Sequence, residues 1–551
     1  MRTHSSAFTG GARTGTTDNF VALRNRDAAA ISLSDVSGEG ALMVKTSRRV
    51  WMLLAAVLCV LSFDRGAAQA PHAQLLLVMD GLRPDYVTPE LMPRLYALGQ
   101  RGVWFEENHS VFPTVTRVNS SSLSTGAYPE THGLLGNTIY SERTFPTRGI
   151  NTSEWEQLDA MFKAEGRLLT APTLGAALQR AGKRFDVFSA GSSGSAMLLN
   201  HPVGNGAVIN PEYIRPESLE AKVVAAIGKG PEEAVPNNVR TAWAVSAYLN
   251  LGLGELHSDV AAIWFGDPDA TAHQQGVGTE TTKRALKLID EQIGRIEDTL
   301  RARGLLDRTN IIVTSDHGFS THTGELKLAQ LVAPFSKPMP DGTPDIVVTE
   351  GAVNVRTPKD PQRIAAIVAA LQARPEVGAI FTRASAPGAV QGSVPGTLSL
   401  AVARGDHARA ADILVSANWN GDTNAAGFAG KTTQAGVAGH GTSSRYDIHN
   451  TLIAVGPDFR ERTRSRVPTS NVDIAPTILK LMGLEPLPSM AGRTLDEALR
   501  SGPAPASVAV TTRVLTSTRA NGYQVSAHVS TVAGRDYLDY TEVTRTADAP
   551  R

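Results

Sequence analysis

Gln74-Leu75-Leu76-Leu77-Val78-Met79-Asp80-Gly81 sets a short, unbroken apolar run against an acidic residue and a glycine. A strand that is apolar on both faces must be covered on both faces, the condition of a parallel strand inside a helix-clad sheet. Similar runs return at Phe185 to Phe188, Ala261 to Phe265, Ile311 to Thr314 and Leu452 to Val455. Helical spacing fills several of the intervals. Pro89 to Arg101 follows the first run, and Thr279 to Arg303 carries Ala285, Leu286, Leu288, Ile289, Ile293, Ile296 and Leu300 on one stripe. Asp473 to Met482 reads as a late helix. This alternation predicts an α/β fold, a doubly wound, mostly parallel sheet with helices on both faces. Residues 320–435 are richer in Gly, Pro and Ala, with strand-like pieces and one helix over Pro361 to Ala373. They read as an inserted cap region within a catalytic domain of 71–500. Residues 507–545, after a Pro/Ala linker at 502–506, read as two or three antiparallel strands.

The chain has 551 residues, 42% of them hydrophobic, with 53 Lys+Arg balancing 53 Asp+Glu. Such a balance provides a core and gives no basic excess for a nucleic-acid surface. A single Cys excludes an intramolecular disulfide framework and thiolate-rich metal sites, so any metal must be held by His, Asp and Glu. Residues 1–42 show no sustained period and read as disordered or as a misassigned start. Residues 43–70 read as an export signal: Lys45, Arg48 and Arg49, then an apolar stretch from Val50 to Phe63, then Ala68-Gln69-Ala70. That stretch is shorter than the roughly 20 residues a membrane span needs. The expected mature chain therefore has no membrane span and is periplasmic or secreted, by a Sec or a twin-arginine route.

Four polar clusters carry the chemistry, most of them just beyond apolar strands, where open α/β sheets place their sites. Asp80 ends the first strand. Asp269 and His273 stand four apart, on one face of a helical turn, and can share a metal. Ser315-Asp316-His317-Gly318 follows another strand, and Gly439-His440-Gly441 sets a His between residues without side chains. Each alone is ordinary: an Asp in a turn, a helix-surface pair, a loop His. Together they supply three Asp and three His from four segments, and two Zn²⁺ ions are the natural occupants. Two-metal sites suit in-line displacement at phosphorus. Thr116, in Phe112-Pro113-Thr114-Val115-Thr116-Arg117-Val118-Asn119, is either a helix N-cap or a nucleophilic hydroxyl.

With these residues in view, the chain resembles the alkaline phosphatase superfamily, in its type I phosphodiesterase / nucleotide pyrophosphatase branch. The residues that carry the likeness are Asp80-Gly81, Thr114-Val115-Thr116, Tyr128-Pro129-Glu130-Thr131-His132-Gly133, Asn137, Pro268-Asp269 with His273, Ser315-Asp316-His317-Gly318, Gly439-His440-Gly441 and Asn471 to Thr477. The resemblance implies one zinc on Asp269, His273 and His440. It implies a second on Asp80, Asp316 and His317, with Thr116 joined to it as nucleophile and Asn137 donating to a phosphoryl oxygen. Two divalent cations against three carboxylates and one alkoxide sum to zero, which favours a singly charged diester over a doubly charged monoester.

The branch usually follows its nucleophile with Phe and Pro, the Phe helping to sandwich a nucleobase; here Arg117 and Val118 stand there. Trp264 is then the expected aromatic face and Arg117 the expected grip on a carboxylate or phosphate. The resulting expectation is an exported two-zinc hydrolase of a small phosphodiester or nucleotide, working through a phospho-threonine. A phosphonoacetate hydrolase-like C–P hydrolase, a phosphomonoesterase and a catalytically dead ligand-binding relative are the alternatives. A sulfatase would need Cys or Ser where Thr116 stands.

Overall fold

The computed structural model describes residues 70–356 and 359–546. The expectations for residues 1–42 and, Ala70 apart, for the export signal at 43–70 lie outside the described residues. The central sheet has ten strands. In chain order they are β1 (Ala73–Met79), β2 (Val103–His109), β3 (Phe185–Ser189), β4 (Ala207–Asn210), β5 (Tyr213–Arg215), β6 (Val260–Phe265), β7 (Thr309–Thr314), β8 (His449–Val455), β9 (Thr463–Ser465) and β10 (Thr469–Ser470). Their spatial order is β9-β2-β8-β7-β1-β6-β3-β4-β5, with β10 also pairing with β2. β1 runs parallel to both neighbours, Leu75 standing beside Ala261 on one side and Ile311 on the other. β8 is antiparallel to β7 and β2, and β5 to β4. The sheet is therefore mostly parallel, as the apolar runs require.

Alternation along β1 divides the core into two layers. Leu76 and Val78 pack on one face with Trp264, Leu123, Ile474 and Ile478. Those partners come from β6, from α2 (Thr116–Thr125) and from α5 (Ile474–Leu481). Leu75, Leu77 and Met79 face the other layer, where α1 (Pro93–Arg101) and α4 (Glu280–Ala302) lie. α4 begins at a true cap, the Thr279 hydroxyl accepting from the Thr282 N–H. It buries Leu286, Ile289, Ile293, Ile296 and Leu300, each contributing roughly 1.5–3 kcal/mol. α1 starts at Pro93 rather than Pro89, because a proline with its fixed φ and missing N–H is best accommodated in the first turn.

Within residues 346–417 lies a second, five-stranded sheet, with the helix Pro361–Gln372 packed on it through Ile367 and Leu371. Its first two strands, Ile346–Thr349 and Ala352–Val355, form a tight hairpin whose tip is Glu350-Gly351. The C-terminal strands Val510–Thr516, Tyr523–Val532 and Arg535–Arg545 make an antiparallel three-stranded sheet. Thr541 of its last strand donates its N–H to the Ser443 carbonyl, three residues after His440. No helix among the described residues is long and apolar enough to cross a membrane.

Candidate active site

The carboxyl ends of β1, β6 and β7 open on the same edge of the sheet, and the acidic residues sit where each strand stops. Asp80 closes β1. Asp269 opens α3 (Asp269–Gln275), its N–H donating to the Asp80 carbonyl at 3.1 Å. Asp316 follows β7 and is held by two backbone donors, Gly81 N–H and His317 N–H, each at 3.0 Å from Oδ1. A Cβ at Gly318 would fall 2.0 Å from the Tyr446 carbonyl oxygen, so only glycine lets this turn pass beneath the short helix Arg445–Ile448 that leads to β8.

Two triads result, one of Asp269, His273 and His440 and one of Asp80, Asp316 and His317. The His317 and His440 rings stack with centroids 3.5 Å apart, so the triads adjoin. Every one of these imidazoles uses Nδ1 against a carbonyl: His273 to Ala438, His317 to Gly318, His440 to Thr114, at 2.8–3.0 Å. A carbonyl only accepts, so Nδ1 carries a proton in each ring, and it is the neutral imidazole that turns an Nε2 lone pair toward the cluster. These lone pairs meet carboxylate oxygens. His273 and His440 Nε2 lie 3.2 and 3.3 Å from Asp269 Oδ1, and His317 Nε2 lies 3.1 Å from Asp316 Oδ2. Asp80 Oδ1, Asp269 Oδ1 and Asp316 Oδ2 are buried without a hydrogen-bond partner. Acceptors converging on acceptors fit a metal cation, and the N/O donor set suits a divalent ion such as zinc.

Burial pulls the His273 and His317 imidazoles down, yet Asp269 and Asp316 raise them above the ordinary histidine range, so these rings take up the charge that a cation would otherwise bring. Burial, and then the charges of Asp316 and Asp269, push the Asp80 carboxyl well above the usual carboxylate range. Asp269 is also penalised by burial, yet His273 and His440 hold it well below that range. Burial and the neighbouring His317 charge bring His440 down to about 4.

Thr116 is the first residue of α2, and Val115 occupies the capping position with no side-chain bond. The N-cap reading of Thr116 is thereby replaced: its hydroxyl is free of the helix end and lies 3.3 Å from His317 Nε2. Asn137 reaches the same helix start, its Oδ1 accepting the Arg117 N–H at 3.0 Å. Its amide NH₂ is left for another acceptor. The Arg117 side chain is half-buried, with Nε unpartnered. Burial lowers its pKa against the opposing pull of Glu350, Asp80, Asp269 and Asp316.

Trp264 requires a correction. It does not present an aromatic face to a ligand, being wholly buried (0% exposed) in the middle of the sheet. Its indole N–H instead donates to Asp80 Oδ2 at 3.0 Å. The physical reason is its strand: β6 has covered neighbours on both sides and both faces.

A cavity of about 870 Å³ opens onto this cluster, lined by Asn137, His273 and His440 from the core and by Val348, Glu350 and Leu414 from the inserted sheet. Its described lining holds Val, Leu, Pro and Ala side chains and no Phe, Tyr or Trp. Another cavity, of about 580 Å³ and rich in arginine, lies at the opposite edge of the sheet and contains none of the triad residues. Glu350 is the residue that sequence reasoning missed. Its Oε2 accepts the Asn137 N–H at 3.0 Å, across 213 positions of chain. The only local signal is the Glu-Gly pair of a hairpin, which announces a turn and no chemistry.

Comparison with known proteins follows the same lines. Residues 74–433 match the family model described as type I phosphodiesterase / nucleotide pyrophosphatase. A bis(5'-adenosyl)-triphosphatase (enpp4) of Xenopus laevis is 27% identical over 279 residues, 49% of this chain and 52% of that protein. Ectonucleotide pyrophosphatase/phosphodiesterase family member 7 of Rattus norvegicus is 27% identical over 256 residues, 46% of this chain and 51% of that protein. A venom phosphodiesterase of Macrovipera lebetinus is 28% identical over 262 residues, 46% of this chain and 27% of that protein. The chain thus spans about half the length of most of these curated relatives, and less of the venom protein. Among solved structures, murine ectonucleotide pyrophosphatase / phosphodiesterase 5 shares the fold, with a TM-score of 0.55 at 17% identity, covering 78% of this chain and 100% of its own.

Proposed function

The chain belongs to the type I phosphodiesterase / nucleotide pyrophosphatase family, and from that premise we propose that it is an exported, two-zinc phosphodiesterase with Thr116 as nucleophile. One observation carries the reading: two acceptor-only triads adjoin beside the free hydroxyl of Thr116. Asp269, His273 and His440 would hold one cation, and Asp80, Asp316, His317 and the Thr116 oxygen the other. When bound, the two ions supply Lewis-acid polarisation of the phosphoryl group and lower the pKa of a hydroxyl or water.

The chain's own groups do the rest. Thr116 Oγ1 gives up its proton to solvent and attacks phosphorus, forming an Oγ1–P bond as the bond to the first alcohol breaks; that alcohol leaves with a proton from solvent. Water then attacks the phospho-threonine, freeing the phosphoryl product and returning the hydroxyl. Asn137 is oriented for this by the Arg117 N–H on its Oδ1, which directs its NH₂ toward a phosphoryl oxygen. The start of α2 adds the positive end of its dipole. Export rests on Lys45 to Ala70, with their basic, apolar and small-residue segments.

The Xenopus relative is named for a dinucleotide substrate. A cavity lining without Phe, Tyr or Trp supports, for this chain, diesters whose alcohol need not be a nucleoside. The test compares bis-p-nitrophenyl phosphate, p-nitrophenyl phosphate, phosphonoacetate and a dinucleoside polyphosphate, with zinc measured alongside. Diester turnover should lead, and Thr116→Ala should abolish it with about two zinc ions still bound per chain. Retained activity in that variant, or a strong monoester preference in the native chain, would refute the proposal.

A further inference from the structure

The inserted sheet does more than wall the cavity, because one of its turns delivers a carboxylate to the phosphoryl pocket. Glu350 stands at the tip of the hairpin formed by Ile346–Thr349 and Ala352–Val355, with φ at 44°, a left-handed conformation that a residue bearing a Cβ adopts only at a cost. From there its Oε2 takes the Asn137 N–H. It also lies 3.5 Å from where a Cβ on Gly136 would be. Among the described residues lining the cavity it is the one carboxylate. The one lysine there, Lys327, is exposed and paired with Glu325.

Arg117 is the other charged residue bonded to Asn137, through its backbone N–H. The two residues are joined through Asn137, which gives its N–H to Glu350 and takes the N–H of Arg117. Desolvation raises the Glu350 carboxyl and lowers the Arg117 guanidinium, and each is the leading charge that opposes the other's shift. An arginine one position past a nucleophile would by itself invite a doubly charged phosphate.

We propose that Glu350 is a charge-selecting residue: its carboxylate, hung on the Asn137 amide, offsets Arg117 and keeps the pocket selective for a singly charged phosphoryl group. This rests on the phosphodiesterase reading above and adds to it the group that sets the substrate's charge.

The decisive variant is Glu350→Gln, which keeps an oxygen for the Asn137 N–H and removes the charge. It is measured in the zinc-loaded full-length chain beside Arg117→Met and the double variant. Two readouts are taken: the ratio of kcat/KM for bis-p-nitrophenyl phosphate over p-nitrophenyl phosphate, and calorimetric binding of inorganic phosphate. Glu350→Gln should lower the diester-to-monoester ratio by about tenfold and tighten phosphate binding by about tenfold. Arg117→Met should move both in the opposite sense, and the double variant should return near the native values. The proposal is overturned if Glu350→Gln leaves the ratio and phosphate binding unmoved, or if it slows both substrates equally, as a merely structural prop would. Should Glu350→Gln fail to fold, the Arg117→Met arm decides, since an unmoved ratio there removes the charge to be offset. A native chain that binds zinc but turns over neither ester overturns the function itself; an active native chain with an unmoved ratio overturns only the role of Glu350.

Discussion

Replacing Trp264 by Phe separates a metal-supporting indole from a substrate-facing one. The ring lies in β6 with no exposed surface, and its N–H donates to Asp80 Oδ2 at 3.0 Å. Phe keeps the aromatic bulk against the α2 layer but loses that donor and part of the ring. A hydrogen bond to a buried charged group contributes about 1.5–3 kcal/mol. The lost ring atoms, at about 0.8 kcal/mol for each buried methylene equivalent, add about 1–2 kcal/mol. The expected destabilisation is therefore about 2.5–5 kcal/mol, large for one side chain yet survivable in a core of this size.

Metal affinity should respond more sharply than stability. Groups that hold a ligand in place typically change metal affinity by about 10–100-fold when removed. Asp80 is already pushed up by burial and by Asp316 and Asp269, and the Trp264 N–H is a group that pulls it back down. Without that pull the carboxyl binds its proton more readily, and a proton competes with the cation for the same oxygen. On acidification, Trp264→Phe should accordingly lose its more weakly held zinc at a higher pH than the native chain does. The assay is competition with a graded chelator at several pH values, following zinc per chain. Unchanged zinc affinity combined with a raised KM for nucleotide substrates would refute this reasoning and restore Trp264 as a base-stacking residue.

Two further outcomes follow from the same geometry. Asn137→Ala should reduce kcat by about 10²–10³-fold, the usual effect of removing one oxyanion donor, while zinc content stays at the native level. Stripping the metals with a chelator should lower the melting temperature by more than about 5 °C, because the carboxylate oxygens and Nε2 lone pairs then face each other uncompensated; re-added zinc should restore it. Scanning calorimetry with and without chelator measures this, and a chelator-insensitive midpoint would argue against resident cations.

What was legible in the sequence divides along a physical line. The runs in β1, β3, β6 and β7 were readable because a strand covered on both faces must be apolar throughout, and the expected boundaries at 74–79 and 261–265 differ from the observed ones by a single residue. Strand direction was not readable: the run at 452–455 looks like its parallel neighbours, yet β8 is antiparallel to both strands beside it. Candidate ligands stood out because a charged residue directly after an apolar strand must end up at the rim of the sheet. Trp264 illustrates the opposite case. From spacing alone it looked like an available ring near Asp269, and only the pairing of β6 beside β1 reveals that its N–H belongs to Asp80.

Glu350 lies further still from what a pattern can disclose. Its influence depends on a two-residue turn, on the docking of an inserted sheet against the core, and on Asn137 carrying a backbone hydrogen bond one way and a side-chain bond the other. None of these has a periodicity. Arg117 was visible as a departure from the family's Phe and invited the conclusion that this pocket grips an extra negative charge. On the proposal above, the Glu350 carboxylate, linked to Arg117 through Asn137, offsets that charge. A substitution at the residue after the nucleophile therefore cannot be read as a change of substrate charge until the cap that closes over it is known. The proposal thus puts the chemistry in the core and leaves to the inserted sheet how much of Arg117 the substrate feels.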